Sequence, residues 1–389
     1  MTTVKIAKGR STSGTIVLGI LVLLVVLGLV TGIYRFINGL GASTNLSDSY
    51  PWGLWIGFDF SLIAFSGGAF TLAAVVYIFN LRKYRPVIRP AIITGLLGYV
   101  SVLIILLTDL GRWDRFWAFI VYPNVHSPLF EISWCILLYT IVLSFEFLPF
   151  LFERLNKPKI VKTIHAISIP LVIAGITLST LHQSTLGTLY LAMPVRLDPL
   201  WHTGLLPLLF FISSVGMGLS TVILVSLIAG RAFNREVEMN VLEGLAKGSV
   251  WVWVVYLAFK LQQLLFGGLL DEALAFDIRS IWYLLEMVVG VILPIILYAM
   301  PKVRKSKSGL FWTSILVTVG ILLNRFNATL TGQSTGVQWA VQTSTETATY
   351  TPYWMEYSIQ IGVLAAAVIA WYLIARHLPI FPEDIKKAN

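Results

Sequence analysis

The sequence predicts an all-α integral membrane protein with ten transmembrane helices in a single polytopic domain spanning 1–389. Three observations carry that prediction. Hydrophobic residues make up 57% of the chain and charged residues only 12%, about half the charge of a soluble domain. Ten apolar stretches are each long enough to cross about 30 Å of hydrocarbon. Lys and Arg gather in alternate connections between those stretches, as they do when one side of a membrane retains them.

Taken in order, the stretches are 14–36, 52–80, 90–110, 128–152, 161–183, 201–229, 247–267, 280–300, 309–326 and 352–377. The first follows Lys5, Lys8 and Arg10, as a signal peptide would, but its apolar run is too long for a typical h-region and is read as a retained helix. The second carries Asp59 and the pair Gly67-Gly68, and the third carries Tyr99 and closes on Asp109. The fourth opens with Glu131 already inside it and holds the only cysteine, Cys135. One cysteine excludes a disulfide framework, a cysteine-ligated cluster and a CxxCH haem attachment. The fifth ends on His182 and Gln183, and the sixth carries Gly216 and Gly218. Lys260 lies within the seventh, Glu286 near the start of the eighth, Asn324 and Arg325 at the end of the ninth, and Glu356 at the start of the tenth.

Of the 28 Lys and Arg, 21 fall in the termini and the connections on one side, 6 on the other, and Lys260 alone is mid-helix. The positive-inside rule then places both termini in the cytoplasm, and an even number of spans agrees in putting them on one side. The net charge of +9 is therefore a topology signal and implies no nucleic-acid partner. The opposite, outer loops include 109–127, 184–200 and 327–351. They are the longer ones, and the last is either a docking surface or simply a solvated loop.

With that topology, a rise of 1.5 Å per residue sets depths. Glu131 lies roughly 5 Å and Asp59, Lys260 and Glu286 roughly 10 Å from the outer helix ends. The inner half has little beyond Glu146 and His165. Transporters tend to bind near the midplane. Polar groups gathered at one face above an apolar interior suit an amphiphile whose head works at that face. A quinone is such a molecule, needing donors to its carbonyl oxygens and a proton exchanger beside them. The structural alternatives are plain. Glu131 with Lys260, or Glu286 with Arg325, can be ion pairs between helices, and Asp109 can pair with Arg112 three residues on. His182 can be a satisfied helix-end histidine, Asp59 a packing acceptor and Tyr99 a packing residue. A faint repeat is also present: Gly67-Gly68 and Gly216/Gly218, Glu131 and Glu286, and His182 and Arg325 recur at offsets of 143–155 residues. It suggests two parallel four-helix units, helices 2–5 and 6–9, with helices 1 and 10 added.

Several segments carry a family likeness: PWGLWIGFDF (51–60), RPAIITGLLGY (89–99), DLGRWDRFW (109–117), NVHSPLFEISWCILLY (124–139), EFLPFLFERL (146–155) and TLHQSTLGTLY (180–190). Together they resemble the NrfD/PsrC (polysulfide reductase-type) family of membrane subunits. The ten-span form, similar to the membrane subunit of Hyb-type periplasmic NiFe hydrogenases, matches best. The likeness is specific over helices 2–5 and looser over 6–10, where LEMVVGVILP (285–294) is the best piece. The resemblance implies a haem-free, metal-free subunit that reacts with menaquinone or ubiquinone and is inactive without its partners. Those would be a periplasmic ferredoxin-like iron–sulfur protein and a catalytic subunit such as a NiFe hydrogenase, a molybdopterin enzyme or a multihaem cytochrome. It assigns Glu131 and His182 to the quinone or its protons, with Tyr99 nearby. Asp59, Asp109, Gln183, Lys260 and Glu286 complete the candidate quinone-binding set. A carboxylate that some relatives carry toward the inner end of helix 6 has no counterpart in TVILVSLIAG (221–230), which removes that proton route. Two rival classes are a cytochrome b and an ion or substrate transporter. Haem b wants paired histidines on facing helices, and the five here are His126, His165, His182, His202 and His377.

Overall fold

A helix that is apolar on every side satisfies all its backbone groups internally, and so it can stand in lipid. Ten such helices form among the described residues. They are α1 (Gly14–Asn38), α2 (Leu54–Ile78), α3 (Arg82–Asp109), α4 (Pro128–Arg154), α5 (Ser168–Leu191), α6 (Leu206–Ala232), α7 (Met239–Phe266), α8 (Ile278–Ala299), α9 (Lys307–Thr331) and α10 (Trp354–His377). This computed structural model describes residues 12–48, 50–192, 197–333 and 350–381. The basic residues Lys5, Lys8, Arg10, Arg196, Lys386 and Lys387, and most of the 327–351 loop, lie outside the described residues. No β-strand occurs among the described residues, only an isolated bridge between Ser47 and Tyr50.

Of the helix ends that differ from expectation, those of α5 and α9 matter for the site. The fifth stretch does not run unbroken from 161. Pro158–Ala166 forms a separate short helix carrying Lys159 and Lys162, and α5 then runs from Ser168 to Leu191. His182 and Gln183 are therefore not at a helix end: His182 lies nine residues before Leu191, about 14 Å inside. The ninth helix likewise continues past Arg325, through a wider π turn at Asn327–Thr331. In both cases polar residues extend the helix because they face protein and not water: Gln183, Thr185, Asn327 and Thr329 are all buried.

Neighbours in sequence pack in space, α2 on α3, α3 on α4 and α4 on α5, and then α6 on α7, α7 on α8 and α8 on α9. Contacts of α5 with α6 and of α2 with α9 join these two runs. At the centre α2 crosses α6 with almost no side chain between them. A Cβ on Gly218 would sit 2.7 Å from the Gly67 carbonyl carbon and from the Gly68 nitrogen. Close backbone approach of this kind is what small residues supply where lipid gives no hydrophobic drive. The pair α1 and α10 packs together, with a Cβ on Gly28 reaching 2.8 Å from the Gly362 Cα. The outward face of α1, with Ile16, Leu23, Leu29 and Ile37, is exposed to the bilayer.

Candidate functional site

Four helices, α2 to α5, bring most of the candidate residues together. On α5 the side chains at 178, 179, 182, 183 and 185 share the inward side by helical spacing. The His182 ring is fully buried, and its Nδ1 has the Leu178 carbonyl at 2.7 Å, so that nitrogen carries the proton. Its Nε2 then accepts from the Tyr99 hydroxyl of α3 at 2.5 Å. Tyr139 of α4 closes the group, its ring 4.8 Å from Tyr99 and 5.7 Å from His182, centroid to centroid.

One turn nearer the α5 C-terminus, the Thr185 hydroxyl donates to Glu131 Oε1 at 2.8 Å. Glu131 is thus bound to a hydroxyl, and the expected ion pair with Lys260 does not form. The Gln183 amide donates to the Ile63 carbonyl of α2 at 3.0 Å. Asp59 lies four residues earlier on α2, on the same face as Ile63. It is completely buried, and neither carboxylate oxygen has a hydrogen-bond partner among the described residues. Ser179 Oγ and Gln183 Oε1 are likewise buried without a partner among the described residues. These atoms are open to hydrogen bonds from a bound molecule with its own donors and acceptors.

Asp109 lies apart, at the C-terminal end of α3. Arg35 of α1 reaches over this end, donating to the Thr108 carbonyl at 2.5 Å and the Leu110 carbonyl at 2.6 Å, and its charge acts on Asp109. A cation at the C-terminal end of a helix also suits the helix dipole. The expected Asp109–Arg112 pair is not found. The helix stops at Asp109, and Arg112 turns instead to Asp114, 2.7 Å away in the exposed loop. That pairing holds the Asp114 carboxyl below its ordinary range and the Arg112 guanidinium above its own.

Lys260 and Glu286 belong to a second cluster, built by α6 to α9. Glu286 accepts from Trp201 Nε1 at 2.9 Å, Asn324 Nδ2 at 2.7 Å and Asn327 Nδ2 at 3.0 Å. Arg325 donates to Asn324 Oδ1 and, at 2.8 Å, to Ser213 Oγ, with its guanidinium 3.6 Å from the Phe210 ring centroid. The Asn324 side chain therefore stands between Glu286 and Arg325 in place of the direct ion pair. Lys260 donates to Gln263 at 3.4 Å and lies over the Tyr283 ring. Sequence reasoning did not single out Thr185, Tyr139, Trp201 or Asn327. Thr185 stands three residues after His182, a helical spacing that would have shown it had α5 been carried past 183.

A family model described as polysulphide reductase, NrfD, matches residues 42–338. The chain is 31% identical to the integral membrane subunit of menaquinone reductase from Nitratidesulfovibrio vulgaris, over 90% of this chain and 88% of that one. It is 30% identical to the probable Ni/Fe-hydrogenase 2 b-type cytochrome subunit of Escherichia coli, over 92% and 91%. With the integral membrane subunit of an Hdr-like menaquinol oxidoreductase from Archaeoglobus fulgidus it shares 24% identity, over 80% of this chain and 79% of that one.

Proposed function

The chain belongs to the NrfD family of integral membrane proteins, and from that premise we propose that it is the quinone-reactive membrane subunit of a respiratory redox complex. The observation that carries the reading is the α2–α5 cluster. Around one turn of α5 it combines a carboxylate held by one hydroxyl (Glu131) and a Tyr99–His182 hydrogen-bonded pair, with Asp59, which has no hydrogen-bond partner among the described residues, one turn from the Ile63 carbonyl that Gln183 holds. Reducing a quinone to a quinol takes two electrons and two protons. The electrons come from an external partner. The chain's part is to seat the head and manage the protons.

In this reading Glu131, nearest the outer helix ends, exchanges protons with the head, and the Tyr99 hydroxyl turns from His182 Nε2 to donate to the other carbonyl oxygen. Because the Leu178 carbonyl accepts from its Nδ1 and Tyr99 occupies its Nε2, His182 has no free donor and acts by holding the Tyr99 hydroxyl in place. A placed acid or base is worth roughly 10²–10⁴ in rate. Glu131→Gln keeps volume and hydrogen bonding but cannot deliver a proton. It should leave the complex assembled and lower quinone-linked turnover per assembled complex by about 10²-fold. Normal specific activity in that variant would sink the assignment.

The same reading places the protein in the cytoplasmic membrane with both termini inside. An iron–sulfur partner would then dock outside, near Arg112 and Arg115, and a catalytic subunit would supply or take the electrons. The support is the 21-to-6 division of basic residues. A cysteine placed at Ser334 should react with an impermeant reagent in intact cells; reaction only after lysis would reverse the orientation.

The name of the Escherichia coli relative makes haem binding the second reading. His182, the one fully buried histidine among the described residues, already has both ring nitrogens hydrogen-bonded. Axial ligation there would cost the Tyr99 contact. An absorption spectrum of the purified protein tests this: a Soret band that persists through purification of this chain alone would favour the haem reading.

A further inference from the structure

A groove separate from both clusters opens at the outer ends of α6 and α7. It has a volume of about 480 Å³ and runs between the segment Leu197–Leu205 and the end of α7 around Gln262–Leu269. That volume is in the range of small-molecule sites. Its chemistry is divided. His202, Thr203, Gln262 and Gln263 give it polar groups, while Leu197 and Phe266 contribute apolar wall. The Nε2 of His202 is buried and has no hydrogen-bond partner among the described residues. Phe266 is 87% exposed, and its neighbour Leu265 64%, so an apolar path leads from the groove to the membrane.

We propose that this groove binds a second neutral amphiphile of the quinone class, distinct from the one beside Glu131. The orphaned imidazole nitrogen and the Gln262 and Thr203 side chains would meet its ring oxygens, and Phe266 its ring and the start of its tail. None of the described lining residues is Lys, Arg, Asp or Glu. An anionic lipid headgroup would enter without a counter-charge, whereas a neutral head needs only hydrogen bonds. Imidazole, amide and hydroxyl can each donate or accept, so they suit both the carbonyl form and the hydroxyl form of such a molecule. Partial burial also holds the His202 imidazole below its ordinary value and so keeps it neutral. Gln263 ties the groove floor to the second cluster, donating to the Leu200 carbonyl at 3.3 Å while accepting from Lys260.

The test uses the full-length protein in its complex, reconstituted in vesicles, with a photoactivatable azido-naphthoquinone carrying a short isoprenoid tail. Labelled peptides are mapped by mass spectrometry. The proposal expects label on the groove peptides 197–205 or 262–269, scored apart from label on α4 and α5. Excess unlabelled menaquinone should remove it, and added phosphatidylglycerol should not. Gln262→Leu, at an exposed position that leaves the fold alone, and His202→Leu should each reduce groove labelling about tenfold, the worth of one good hydrogen bond, with labelling near Glu131 unchanged. Groove label without label near Glu131 would support this site and count against the quinone assignment above. No groove label, or groove label displaced by phosphatidylglycerol, overturns the proposal.

Discussion

Glu131 and Glu286 are both carboxylates in the N-terminal halves of membrane helices, α4 and α8, yet their surroundings are opposite. Glu286 receives three side-chain hydrogen bonds, from Trp201, Asn324 and Asn327, and lies beside a bound Arg325. Among the described residues Glu131 receives one, from Thr185, and Asp59 of α2 receives none. A carboxylate saturated with donors is fixed in position and has little reason to exchange protons. One with open lone pairs is costly to keep buried, and a ligand that supplies donors relieves that cost. On the reading proposed above, the α6–α9 cluster does structural work and the α2–α5 cluster chemical work.

The largest expected effect comes from removing the saturated acid. Glu286→Leu strands the Trp201, Asn324 and Asn327 donors, at about 1–3 kcal/mol for each buried group left unpaired. The variant should accumulate poorly and lose its thermal transition in detergent. The matching change on the other side, Asp59→Asn, removes a carboxylate that bonds nothing and should leave protein levels and melting temperature unchanged while lowering quinone turnover. If Asp59→Asn melts early and Glu286→Leu does not, the comparison is inverted and the roles must be exchanged.

A smaller effect is expected at Tyr99. Tyr99→Phe deletes only the hydroxyl that meets His182, leaving the ring contact with Tyr139. Turnover should fall about tenfold, with little change in melting; an unaltered rate would reduce the Tyr99–His182 pair to packing. Smallest of all should be Arg112→Ala. Its charge is already engaged by Asp114 in the open loop. The association rate with an acidic partner should drop a few-fold at low salt and not at all at high salt, because exposed charges are screened. A loss of binding that persists at high salt would mean that this loop makes close contacts in the interface.

Ten helices were legible because a membrane helix announces itself through composition, and lipid-facing positions such as those of α1 tolerate only apolar residues. The candidate site was legible in part. Ionisable residues inside apolar stretches are rare enough to be noticed singly, which found Asp59, Glu131, Lys260 and Glu286. Their partners were not found, because Thr, Asn and Trp carry no such signal. The end of α5 was misjudged for a related reason. From Gln183 to Thr185 the chain turns polar, as it does on leaving a bilayer, but here it turns polar to face other helices. Hydropathy measures how polar a segment is and not where the polarity points. Asp109 and Arg112 failed to pair because Leu110 and Gly111 leave the helix, so a spacing that holds on a helix had no meaning there.

The crossing at Gly218 has a mechanical consequence. Where Gly67, Gly68 and Gly218 meet, two backbones touch with nothing compressible between them. Side chains elsewhere can change rotamer to absorb a displacement; here they cannot. A shift of α2 that accompanies a ligand settling against Asp59 must either move α6 with it or be resisted by it. The contact is thus a rigid point between α2 and α6, where a displacement of one helix cannot be taken up by a side chain of the other.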